Sequence, residues 1–173
     1  MATSAAALLS QAERDRATEN ENLRAEIQKR VYDAFSIFDH EGNKTVDVRE
    51  IGTIIRSLNC CPSEGELNDM ITEMEEEEPT GYIKYEKFEP VMMKVILERK
   101  YKPQSEDILM KALEVLDQEH KEHLTIDEIT KFMTEYGEAF TQDELEEMKS
   151  AAVDQEKGVI YYKDYVSLLV VDE

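Results

Sequence analysis

Apolar residues recur along the chain at helical spacing, in stripes broken by short acidic stretches that each end on a branched apolar residue. Four such residues, Val46, Ile83, Leu124 and Ile160, stand 37, 41 and 36 residues apart. The stripes that follow them are Ile51, Ile54, Ile55 and Leu58; Phe88, Val91 and Met92; Ile129, Phe132 and Met133; and Tyr165, Leu168 and Leu169. Those that lead into the loops are Ile27, Val31, Ala34, Phe35 and Phe38; Leu67, Met70, Ile71 and Met74; Ile108, Leu109, Ala112, Leu113 and Leu116; and Leu145, Met148, Ala151 and Ala152. Sets at i, i+3 and i+4 give each helix one apolar face, so the pattern predicts eight helices in four helix–loop–helix units. A single unit cannot bury its own stripe. The units are therefore expected to pair, first with second and third with fourth, so that the four anchors meet as short antiparallel strands, Val46 beside Ile83 and Leu124 beside Ile160.

Local signals agree with these elements. Ser63-x-x-Glu66 and Thr141-x-x-Glu144 are capping boxes that start two of the helices. Ser105, followed by Glu106 and Asp107, reads as another N-cap with acids in the first turn. Gly137 is the expected stop after the third loop, and Pro90 should kink or restart the helix that contains it. The resulting domain plan is an extension over residues 1–24, disordered or docking as a helix on a partner, a first pair over 25–97, a linker over 98–104 and a second pair over 105–173.

Four helix–loop–helix units with an acidic loop before each anchor form the EF-hand pattern, whose loop holds calcium through six to eight oxygens and a bidentate Glu at its last position. The first loop, "DHEGNKTVDVRE", offers Asp39, Glu41, Asn43, the Thr45 carbonyl, Asp47 through water, and Glu50. Two faults weaken it. Lys44 stands where a left-handed glycine belongs, and Glu41 is longer than the usual Asp or Asn. The second loop, "EEEEPTGYIKYEK", contains Pro79 and ends on Lys87 in place of the bidentate Glu. The third, "DQEHKEHLTIDE", keeps Asp117 and Glu128 but has Lys121 and Glu122 at its fifth and sixth positions. The fourth, "VDQEKGVIYYKD", begins on Val153 and has Lys157 at its fifth. Calcium is thus expected at the first loop only, as a weak site, and no cofactor is required. The ligand positions have decayed, whereas all four anchors remain branched and apolar.

The words A-F-S-x-F-D (Ala34–Asp39), R-S-L (Arg56–Leu58) and P-S-E-x-E-L-x-D-M-I (Pro62–Ile71) resemble the first hand and a half of calmodulin, and the likeness extends as architecture over roughly residues 25–170. Among small calmodulin-like proteins, the chain is most similar to the EF-hand subunits of the dynein regulatory complex, the nexin link of motile cilia. That resemblance implies an all-α, light-chain-like fold of two lobes, a place in the ciliary axoneme, and other subunits of the complex as partners. It also implies that Met92 and Met93 face a partner groove. Met70, Met74, Met110, Met133 and Met148 could line such a groove or fill cores, and the sequence leaves both readings open.

Composition narrows the function. The 173 residues carry 40 acidic against 20 basic side chains, a net of −20, which repels nucleic acid and anionic lipid and attracts basic helices. Apolar residues make up 41 %, with 6 glycines and 4 prolines, as suits a helical globular chain. Cys60 and Cys61 are adjacent and suggest no disulfide framework, so a reducing, intracellular setting is expected. No apolar run reaches the roughly 20 residues of a membrane span, and residues 1–16 lack the basic start of a signal peptide. His120 and His123 lie near Asp117, Glu119 and Glu122 and are expected to be exposed rather than zinc-binding. No phosphate-binding glycine loop, nucleophile–base set or CxxC is present, so a catalytic role is not expected. Two functions stand: a structural subunit whose hands clamp an amphipathic or coiled-coil helix with basic flanks, through Met92, Met93, Leu113, Phe132 and Leu168, or a calcium sensor switching through the first hand.

Overall fold

The computed structural model describes residues 2–170, with side chains for residue 11 and for residues 14–170. Residues 1 and 171–173, the ends of the expected extension and second pair, lie outside the described residues. The elements are α1 Ala2–Phe38, β1 Thr45–Asp47, α2 Ile51–Ser57, α3 Glu64–Met74, β2 Tyr82–Lys84, α4 Tyr85–Leu97, α5 Glu106–Leu116, β3 Leu124–Thr125, α6 Ile126–Glu135, α7 Gln142–Ala152, β4 Val159–Ile160 and α8 Tyr162–Leu169. A turn of 3-10 helix, Val48–Glu50, leads into α2. The chain forms two compact units, residues 1–102 and 103–173.

Each unit is built on the pairing of its two loops. Val46 faces Ile83 in the antiparallel β1–β2 pair, and Leu124 faces Ile160 in β3–β4. The first ladder is continued by the Val48 amide donating to the Gly81 carbonyl at 3.0 Å and the Tyr85 amide to the Lys44 carbonyl at 2.9 Å. All four anchors are 1 % exposed or less. Two residues before each anchor the backbone turns left-handed, at Lys44 (φ 62°), Gly81 (φ 81°), Glu122 (φ 62°) and Gly158 (φ 67°). Gly81 and Gly158 adopt that turn freely, whereas Lys44 and Glu122 each bear a cost of about 1 kcal/mol. The loops keep the turn even where the sequence does not favour it.

In the first unit, α1 from Ile27 onward packs on α4 through Phe35 against Phe88, with ring centroids 5.1 Å apart, and Tyr85 edge-on to Phe35 at 5.2 Å. Ile54, Ile55, Met74 and Met92 fill the centre. From residue 14 to 26 the described side chains of α1 are all exposed, so this stretch is a helix extending beyond its unit's core. Cys60 is buried in that core, where desolvation raises its thiol pKa, and Cys61 is exposed. The second unit is thinner. Leu113, Leu124, Ile129, Leu145, Met148, Ile160, Tyr162 and Val166 form its core, fewer than half as many buried apolar side chains as the first unit holds.

Both expected capping boxes are formed, with Ser63 Oγ accepting from the Glu66 amide and Thr141 Oγ from the Glu144 amide. Gly137 (φ 67°) follows the end of α6. Ser105 holds the N-cap backbone conformation of α5 without a side-chain hydrogen bond. Three expectations are corrected. Pro90 does not restart its helix: α4 is continuous from Tyr85 to Leu97 with the proline in its second turn. Ile108 and Ala112 lie outside the core. The buried face of α5 centres on Leu113 with Leu109 and Leu116 beside it, which turns Ile108 (51 % exposed) and Val115 (76 % exposed) to solvent. His123 is half-buried, its ring 5.8 Å from that of Tyr161 and its Nδ1 2.8 Å from the Lys121 carbonyl, whereas His120 is exposed as expected.

Because Ile83 is sealed and sits at the centre of the loop pair, Ile83→Ala should cost roughly 2–5 kcal/mol. Urea unfolding of the chain measures this. A loss below about 1 kcal/mol would mean that the anchor is not part of the core.

Candidate functional site

The sequence offers two sites, the loops and the apolar clefts. In the first loop Asp39 closes the turn itself, accepting the Asn43 amide at 3.1 Å and the Lys44 amide at 2.9 Å. Asn43 donates from Nδ2 to Glu41 at 2.9 Å, and its Oδ1 accepts from the Thr45 amide and hydroxyl at 2.9 and 2.6 Å. Asp47 is held by Arg49, whose Nε and Nη2 donate to it at 2.9 and 2.6 Å. The Arg49 side chain and amide keep the Asp47 carboxyl down at about 2. Glu50 precedes α2 without capping it. The would-be ligands other than Glu50 are thus engaged with one another, with backbone amides or with Arg49, and among the described residues no three His, Cys, Asp or Glu side chains converge as a metal-holding group.

The other loops carry cations of their own. In the second, Lys84 Nζ pairs with Glu76 at 3.0 Å. In the fourth, Asp154 accepts the Glu156 and Lys157 amides at 2.9 and 3.0 Å, while Lys157 Nζ donates to the Tyr161 hydroxyl at 2.9 Å. The third places its lysine among the loop's own carboxylates. Lys121 Nζ donates to both oxygens of Glu128, at 2.9 and 3.2 Å, with Glu119 at 3.5 Å. The same Glu128 accepts the Thr125 amide at 2.8 Å and hydroxyl at 2.9 Å, completing a third capping box that starts α6. The Thr125 amide, Lys121 and the Thr125 hydroxyl together hold the Glu128 carboxyl down at about 2. Asp117, 1 % exposed, accepts the Glu122 amide at 2.7 Å and the hydroxyl of Tyr162, from the neighbouring hand, at 3.3 Å. Burial raises its carboxyl, but the nearby Lys121 amide, the bonded Glu122 amide and the Tyr162 hydroxyl outweigh that, and the net is a lowered pKa.

The residues proposed for a partner groove fall in different places. Met92 is fully buried, on the face of α4 it shares with Phe88 and Val95, and Met93 packs half-buried at the edge of that core. Leu113 is a core residue of the second unit, Phe132 is half-buried with its ring 6.1 Å from that of Tyr136, and Leu168 is 68 % exposed. Of the other methionines, Met70, Met74 and Met148 are buried, and Met110 and Met133 flank the second core. The second unit also exposes Tyr136 and Phe140, which the sequence reading passed over, and Leu169, which it placed in the apolar stripe of the last helix. Tyr136 extends the stripe of Ile129, Phe132 and Met133 by one further turn, a legible signal masked by the nearby Gly137.

A mostly helical chain of strand-paired helix–loop–helix units, with apolar side chains left exposed on its second unit, defines the calmodulin and myosin light-chain class. The architecture is similar to the Physarum polycephalum myosin II regulatory domain (TM-score 0.64, 25 % identity, 83 % of this chain and 94 % of that one). It is also similar in fold to Mlc1p bound to IQ2 of Myo2p, a class V myosin (TM-score 0.65, 20 % identity, 80 % and 96 %). No family model matches the chain. Dynein regulatory complex protein 8 of Mus musculus is 61 % identical over 161 residues, 93 % of this chain and 98 % of that protein. The chain belongs to the dynein regulatory complex protein 8 family.

The depressed Glu128 carboxyl makes a prediction. A group whose folded pKa lies below its unfolded value stabilises the fold fully above the unfolded value and loses that effect as pH falls through the folded one. The Thr125 amide resonance should therefore titrate with a midpoint near the Glu128 value of about 2, not near the ordinary 4.5. A midpoint at the ordinary value would show that the cap and the Lys121 pair do not persist in solution.

Proposed function

We propose that this chain is a non-catalytic, light-chain-like subunit of the dynein regulatory complex in the ciliary axoneme, with four EF-hands in two pairs, and that its second pair clamps a basic amphipathic helix of a partner subunit without calcium. The observation that carries this reading is the apolar surface of the second unit. Phe132, Tyr136, Phe140, Leu168 and Leu169 stay partly or largely exposed in a unit whose loops are already closed by their own hydrogen bonds. Contiguous exposed apolar surface marks an interaction site, and these five are the side chains that would form it. The surrounding charge suits a cationic helix: residues 103–173 hold 19 acidic and 6 basic side chains, a net of −13. Helix-in-groove docking reads anchors at helical spacing, and basic flanks would meet the acidic rim. The light-chain likeness supports the same mode, since one structural neighbour is bound to an IQ segment.

Positions within the groove separate binding from folding. Leu168→Asp, at a largely exposed side chain, should leave stability within about 0.5 kcal/mol and abolish capture of basic IQ-like peptides in EGTA. Leu113→Asp, in the core, should unfold the unit. Pull-down with circular dichroism reads both, and capture by wild-type protein only after calcium addition would overturn the clamp reading.

A calcium sensor is the second reading, favoured by the first loop's retention of Asp39, Glu41, Asn43 and Glu50 at ligand positions. Calorimetry decides between them. The clamp reading expects no binding in the range of sensor hands, ~0.1–10 μM. Heat in that range, lost in an Asp39→Ala, Glu50→Gln double variant, would favour the sensor.

A further inference from the structure

The third loop retains both ends of an ion-binding loop, Asp117 and Glu128, and has a lysine at a ligand position between them. In an occupied hand the final Glu binds the ion with both carboxylate oxygens. Here both Glu128 oxygens accept from Lys121 Nζ, at 2.9 and 3.2 Å, and Glu119, at the third position, approaches the same ammonium at 3.5 Å. Asp117, at the first position, is 1 % exposed, and its Oδ1 accepts no hydrogen bond. Its other oxygen holds the Glu122 amide in the left-handed turn and the Tyr162 hydroxyl of the next hand.

We propose that the Lys121 ammonium is the resident cation of the third loop: it does the work of a divalent ion, holding Glu128 against the loop so that β3 stays in register with β4. The inference goes beyond the clamp reading and stands whether or not this unit grips a helix. A tethered ammonium is present at a fixed, high local concentration and cannot be removed by chelation, so the loop would be permanently loaded. It also carries one positive charge where calcium carries two, so the acidic loop remains under-neutralised. Removing the lysine's charge should therefore free Glu128, and a divalent ion supplied in excess should be able to take the ammonium's place against it.

Hydrogen exchange on the full chain tests this, reading the Glu122 and Thr125 amides in EGTA and in ~10 mM calcium, above the affinity of even weak hands. Wild-type protection should be the same in both. Lys121→Gln should lose protection by roughly tenfold or more in EGTA and regain it in calcium, whereas Lys121→Arg, which keeps the charge, should behave as wild type in EGTA. If Lys121→Gln unfolds the second unit altogether, refolding on calcium addition is the expected result. Undiminished protection in Lys121→Gln, equal loss in Lys121→Arg, or a loss that calcium does not reverse would each overturn the proposal, the last two by showing that packing of the lysine stem and not its charge holds the loop.

Discussion

Everything in each unit hangs on a backbone ladder two or three residues long. β1 with β2 and β3 with β4 fix where the loops end, and through them the directions of the helices that flank each loop. Such a ladder is too short to be stable alone. It holds because its apolar side chains, Val46, Ile83, Leu124 and Ile160, are also sealed in the two cores. Hydrogen bonding and burial therefore fail or succeed together. The left-handed residue two places before each anchor aims the chain into the ladder, and it is kept at Lys44 and Glu122 despite its cost.

That coupling explains how ion ligands can be lost while the architecture persists. What a loop must do is turn and then present one extended apolar residue. Asp39, Asp117 and Asp154 accomplish the turn by accepting loop amides with their own carboxylates. Once the turn is held internally, the remaining ligand positions are free to become Lys121 or Lys157. On the clamp reading the ion would be unnecessary to the pairing, although pairing is where its binding would be felt.

Much of this was legible. The anchors, the eight helices, two capping boxes and the left-handed Lys44 follow from spacing and turn chemistry, which are local properties. The failures have identifiable causes. Ile108 belonged to the i, i+4 set of α5 as well as Leu109 did; which of two adjacent stripes is buried depends on where α8 lies, and that is not written in α5. The Thr125–Glu128 capping box is spelled in the sequence, but the same residues occupy loop positions nine and twelve, and the ion-site reading took precedence. The Lys121–Glu128 pair joins the loop to its exiting helix, a contact that only the folded turn creates.

The two units then divide the labour unequally. The first is sealed by a full aromatic and aliphatic core, in which Met92 is fully buried, so offering a groove there would require opening that core. The second has fewer buried side chains and more exposed ones, and opening costs less where less is buried. A calcium-driven groove opens because ion binding supplies the free energy. A loop already held by Lys121 has little left to gain from an ion, so any switch acting on the second unit would have to come from the partner's own binding energy. On the proposed clamp reading, the exposed Tyr136, Phe140, Leu168 and Leu169 would be the uncovered part of a core that a partner helix completes, and the stability of the unit and its occupancy by that helix would become a single equilibrium.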